Sequence, residues 1–227
     1  MNFPRMVLSA LLSSLLLIGF LLIRELRRPA PEFPATAQPL SRPDITFLIG
    51  SDSETENPYF AKAAEYYRLD EEEGAEWVIT NCKTLQEVNE YLRERHLGRP
   101  WGRIQLVMHG NEWTGMGVPI TAGGRRTSAA QLWTALEQGQ LKPLPDSLLD
   151  ARSEIHLQAC ALGRDEPLLQ ALAFAFGGFD EQRPRLYSSR YFVGYTSAGG
   201  PAGRSRKYLA DYCTPSTLRA AGLATSA

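Results

Sequence analysis

Two residues able to do chemistry together each stand directly behind a strand-like run. Ile104-Gln105-Leu106-Val107-Met108 leads into His109-Gly110, and Glu154-Ile155-His156-Leu157-Gln158-Ala159 leads into Cys160. A thiol attacks as its thiolate, and with a free pKa near ~8.5 little of it is ionised at neutrality. An imidazole close by removes that proton, or holds the thiolate as an ion pair, and no fixed sequence spacing is needed. Neighbouring parallel strands supply the closeness, because they run about 4.8 Å apart and residues just beyond their ends converge. Gly110 adds a second element, since an amide without a side chain can approach a developing oxyanion; the Cys160 amide would be the other donor. Taken singly, a histidine at a strand end more often caps a loop, and a cysteine there more often packs as a small hydrophobe. Both at the carboxyl ends of consecutive strands favour a dyad of His109 as base and Cys160 as nucleophile.

Such a dyad needs a sheet to carry it. Ile45 to Ile49 reads as a first buried strand closed by Gly50, and Pro58 to Glu73 as a helix with proline in its first turn and Gly74 at its end. Glu76 to Thr80 gives a second strand, and Thr84-Leu85-Gln86-Glu87 has the form of a capping box opening a helix to about His96. Strand three covers Ile104 to Met108, followed by a glycine-rich loop and a helix from Thr127-Ser128 to about Gln138. Strand four runs from Glu154 to Ala159, Pro167 starts an apolar helix stopped by Gly177-Gly178, and one further strand falls within Leu186 to Tyr195. Strands alternating with helices at this spacing predict an α/β domain over residues 44–227, a three-layer αβα sandwich with a mainly parallel sheet.

With strand–His-Gly followed about fifty residues later by strand–Ala-Cys, the chain resembles the caspase–hemoglobinase-fold cysteine peptidases. These include caspases, metacaspases, legumain, gingipains, separase and the bacterial CHAT domains, and the short motifs here are closest to the CHAT-like and other bacterial members. The caspase signature is Gln-Ala-Cys, then Arg, Gln or Gly, then Gly, with histidine about fifty residues upstream. "QACALG" matches its first three residues and departs at the next two. The resemblance spans roughly Ile45 to Tyr195. It implies that His109 is the general base and Cys160 the nucleophile, with Gly110 and Cys160 giving oxyanion-hole amides. It also implies that Gln158, two residues before the cysteine, lines the primary specificity pocket. The loop Ser51-Asp52-Ser53-Glu54 after the first strand would contribute to substrate binding, and Asp52 there would suit a basic side chain. Metacaspase-like enzymes carry an acid where this chain has Gln158. The substrate implied is a peptide or protein, with neither metal nor cofactor. A caspase-like module without catalysis, serving as a membrane-associated interaction domain, is the alternative; a Rossmann-like binding domain is disfavoured because no GxGxxG follows the first strand.

The amino terminus sets this domain in its expected place. Met6 to Ile23 holds eighteen residues without a charge, and as a helix they would span about 27 Å, near the thickness of a bilayer's hydrocarbon core. A cleaved signal peptide is the rival, but its Ala35-Thr36-Ala37 site lies well beyond Ile23, with Arg24, Arg27 and Arg28 between. The expectation is a membrane anchor over residues 1–28 and a linker over 29–43 that holds five prolines. Arg24, Arg27 and Arg28 follow the span while Arg5 precedes it, a small bias that favours the cytoplasmic side for the domain over the alternative of a periplasmic or extracellular one. A formal net charge of −1 leaves no basic surface for nucleic acid. Three cysteines without a CxxC give no zinc site, and Cys82 and Cys213 could pair or stay free.

Overall fold

The computed structural model describes residues 42–52, 58–69, 75, 77–95, 98–177, 183–197 and 205–210. The expected anchor, most of the proline-rich linker, His96 and Cys213 lie outside the described residues. Among the described residues no helix is long and apolar enough to cross a membrane.

Five strands form one sheet, all parallel: β1 (Ile45–Leu48), β2 (Trp77–Ile79), β3 (Arg103–Val107), β6 (Glu154–Gln158) and β7 (Arg185–Ser188), in the order β2-β1-β3-β6-β7. Strands buried on both faces read as continuous apolar runs, which is why β1 is buried at all four positions. Successive side chains go to opposite faces. Ile45, Phe47, Ile104, Leu106, Ile155 and Leu157 enter the larger core, where they meet α2 (Leu85–Glu94), α3 (Ala129–Glu137) and α4 (Glu166–Ala175). Leu48 and Val107 face the other way, into a smaller core with α1 (Tyr59–Leu69) and with Val193 and Tyr195. The molecule is therefore α/β, with a parallel sheet covered by helices on both faces.

The helix termini are set locally. Thr84 and Glu87 form the expected capping box, with Glu87 N–H donating to Thr84 Oγ1 at 3.1 Å and Thr84 N–H to Glu87 Oε2 at 3.2 Å. Ser128 and Gln131 make a second box at α3, and Asp165 caps α4 through Leu168 N–H. Each satisfies amides that the first helical turn leaves without partners.

Two stretches differ from the sequence expectation. The glycine-rich loop behind His109 holds a hairpin of β4 (Gly110–Asn111) and β5 (Gly115–Met116), closed by Asn111 Oδ1 accepting from Trp113 N–H and Thr114 N–H. The single strand expected within Leu186 to Tyr195 is two. β7 ends the parallel sheet, a turn follows in which Ser189 Oγ and the Tyr191 backbone bond to each other, and β8 (Phe192–Ser197) pairs antiparallel with β9 (Ser205–Ala210). Neither glycine nor proline marks that turn; a serine side chain replaces them.

Helix placement changes side at one point in the sheet. The β1-to-β2 connection puts α1 on the smaller-core face, and every later crossover puts its helix on the larger-core face. Connections therefore diverge between β1 and β3, which makes the carboxyl ends of those strands the switch point of the sheet. In open α/β sheets this is where ligands bind.

Candidate active site

Val107 and Gln158 are registered opposite each other on β3 and β6, and Met108 N–H extends the ladder by donating to the Gln158 carbonyl at 3.2 Å. His109 and Cys160 each follow two residues later. They leave neighbouring parallel strands at the same, carboxyl edge, next to the switch point between β1 and β3.

His109 is exposed on one side and packed on the other. Its ring lies 4.8 Å from that of Tyr59 at a 33° tilt, and 5.0 Å from that of Phe60 edge to face. Both residues come from the first turn of α1. Burial lowers the His109 pKa below its ordinary value, opposed by the Asp52 carboxylate and reinforced by the Arg126 guanidinium. The imidazole is thus neutral at neutral pH and able to accept a proton.

Gly110 begins β4. The His109 carbonyl accepts from Gly117 N–H at 2.7 Å, so the alternation of an antiparallel ladder turns the Gly110 N–H away from β5. Met116, across from Gly110, exchanges both its backbone bonds with Thr127 on the far side, as that alternation requires. Arg126 lies along the same hairpin and donates to Thr114 Oγ1.

Cys160 is half buried, and its thiol donates to the Val193 carbonyl at 3.6 Å. It lies near enough to Tyr59 for a thiolate to raise the phenol's pKa, a smaller effect than burial and the Tyr195 charge. The next residue, Ala161, is the one non-glycine with positive φ among the described residues, at φ 54° and ψ 12°. The strain of that conformation is held by Ala161 N–H donating to the Tyr191 carbonyl at 3.0 Å and by Gly163 N–H donating to Ser189 at 2.8 Å. A side chain on Gly163 would meet the Ser188 carbonyl at 2.8 Å, so the turn behind Cys160 is pressed against the end of β7.

The two residues expected to contact substrate have internal partners. Gln158 is 8% exposed, its side-chain amide donates to Gln105 Oε1 at 3.3 Å, and its carbonyl accepts from the Tyr59 hydroxyl at 3.3 Å. Asp52 accepts from Phe60 N–H through one oxygen and from Ala61 N–H through the other, each at 2.9 Å. The neighbourhood of His109 and Cys160 thus also holds Tyr59, Phe60, Asp52 and Arg126. Sequence reasoning missed the role of Tyr59 and Phe60. Their one signal is position: an aromatic pair directly behind Pro58 at a helix start.

Cys82 and Cys160 are both in the reduced, thiol form. Among the described residues no three His, Cys, Asp or Glu side chains gather into a metal site. In comparisons with known proteins, no family model, no curated protein and no solved structure matches the chain.

Proposed function

We propose that this chain is a membrane-tethered caspase-like cysteine endopeptidase working through His109 and Cys160. One observation carries the reading: the β3–β6 register, which brings an imidazole and a thiol to one sheet edge beside the switch point. A neutral His109 suits the role of general base. It takes the thiol proton as the sulfur attacks the peptide carbonyl, giving a tetrahedral adduct whose oxyanion faces the Gly110 and Cys160 amides. The imidazolium returns that proton to the leaving amine, and a thioester remains on Cys160. Water, deprotonated by the same imidazole, attacks the thioester, and the acid product and free thiol are released.

A second reading has an observation of its own. The Cys160 thiol is directed at the Val193 carbonyl on β8. A non-catalytic module that binds a protein at the membrane would keep that orientation.

Alkylation by iodoacetamide separates the two. In the full-length protein Cys160 should react first, and His109→Ala should slow it about ten-fold or more at pH 7, in the range typical of a lost general base. Cys160 labelling that is indifferent to His109→Ala would remove the peptidase reading and leave the module.

A further inference from the structure

Five residues around the imidazole form a connected assembly that the dyad alone does not require. Tyr59 presents its ring at 4.8 Å to that of His109, and Phe60 its edge at 5.0 Å. Tyr59 is 5% exposed, and its hydroxyl donates to the Gln158 carbonyl, two residues before Cys160. Phe60 occupies the space directly over Gly50 at the end of β1, where an added Cβ would lie 2.1 Å from the ring. Asp52 spans the amides of Phe60 and Ala61 with its two oxygens. A carboxylate at a helix N-terminus is favourable by itself, through the first-turn amides and the helix dipole. Here, though, one capped amide belongs to a residue that touches the histidine.

We infer that the first turn of α1 is a clamp for His109: Tyr59 and Phe60 hold the imidazole, Asp52 holds the clamp by its amides, and Gly50 leaves room for it. These are positioning residues, and the inference rests on the peptidase reading for its purpose. A ring fixed on one side by two aromatics keeps one orientation toward the strand edge where Cys160 stands. The Tyr59 hydroxyl ties that orientation to the strand bearing the thiol. Asp52 thereby has work inside the protein, distinct from the substrate contact that the resemblance implies.

The charged groups reaching His109 are Asp52, which favours its protonation, and Arg126, which opposes it; the packing against Tyr59 and Phe60 excludes water. This gives a readout that a merely structural role would not move. The full-length protein, solubilised in detergent micelles and labelled with ¹³C-histidine, has three imidazoles to follow by NMR, with His109 assigned by its loss in His109→Gln. Tyr59→Leu and Phe60→Leu should each hydrate the ring and raise its proton affinity about three-fold or more, while Tyr59→Phe, which keeps the ring, should leave it in place. Should Tyr59→Leu fail to fold, as judged by circular dichroism, Phe60→Leu carries the same test. Asp52→Ala, which removes the charge and both acceptors, gives opposite signs for the two roles. Loss of a charge alone lowers the proton affinity of His109, whereas release of the clamp raises it, and the rise is expected. Unmoved titration in Phe60→Leu would overturn the clamp, and a fall in Asp52→Ala would overturn the part given to Asp52. The peptidase reading would survive both, because it stands on the response of Cys160 alkylation to His109→Ala.

Discussion

Cysteine reactivity separates the two described thiols by their surroundings alone. Cys82 is buried in the larger core, and burial, with help from Glu87, pushes its pKa up to about 11. At neutral pH almost none of it is thiolate, and reagent has little access. Cys160 is half buried at a sheet edge beside His109. Labelling of native protein followed by mass mapping should therefore leave Cys82 unmodified until the chain is unfolded, at every pH below about 9. Alkylation of Cys82 at the rate of Cys160 would show that the core around α2 opens more readily than its packing implies.

The hairpin of β4 and β5 is the element on which Gly110 depends, and its tightness lies in backbone contacts. Gly115 has φ +73°, and a Cβ there would stand 2.2 Å from the Thr127 carbonyl. Gly123 also has positive φ, +89°, but open space around it. Alanine at Gly123 meets conformational strain alone and should cost about 1 kcal/mol. Alanine at Gly115 meets the strain and a backbone clash, and should cost about 3 kcal/mol or more. Chemical denaturation midpoints of the two variants test this. Equal losses would mean that the Met116–Thr127 bridge yields easily and that the hairpin does not fix Gly110.

Across the whole molecule, Arg42 joins the start of the domain to its far side. Its guanidinium donates to both oxygens of Asp150, at 2.7 and 2.8 Å, over 108 positions of sequence. That hydrogen bonding holds the Asp150 carboxyl below its usual range. A depressed carboxylate contributes stability that is present above its unfolded value, ~3.9, and lost as pH falls through the folded one. Arg42→Ala should cost about 1 kcal/mol at pH 7, with the difference from wild type closing below about pH 4. Thermal melts at pH 7 and pH 3 measure it, and an unchanged difference at pH 3 would assign the loss to packing. The tether belongs to this scale too. Met6 to Ile23 lies outside the described residues, and its expected role is tested by carbonate extraction: the full-length protein should remain in the membrane pellet, and release into the supernatant would remove the anchor from the proposal.

The parallel sheet was readable from the chain because strand-like runs alternate with helices at crossover spacing. Ile45 to Leu48 and Ile104 to Val107 are mostly apolar, as strands buried on both faces are, whereas Glu154 to Gln158 alternates polar with apolar residues. The capping box at Thr84 and the helix around Pro167 were readable for the same kind of reason: their determinants lie within four residues of the structure they set. His109 and Cys160 could be picked out as strand-end residues. The small hairpins could not, because β4 and β5 are two residues each and take their pairing from Thr127 and Gly117, while the break between β7 and β8 rests on one serine hydroxyl. What surrounds the imidazole was likewise decided only by the fold. Tyr59, Phe60 and Asp52 are some fifty positions from His109, and they meet it because α1 packs over the ends of β1 and β3. Local pattern reports which face of an element is apolar; which residue of another element fills the space above it depends on long-range packing, which no short window of sequence contains.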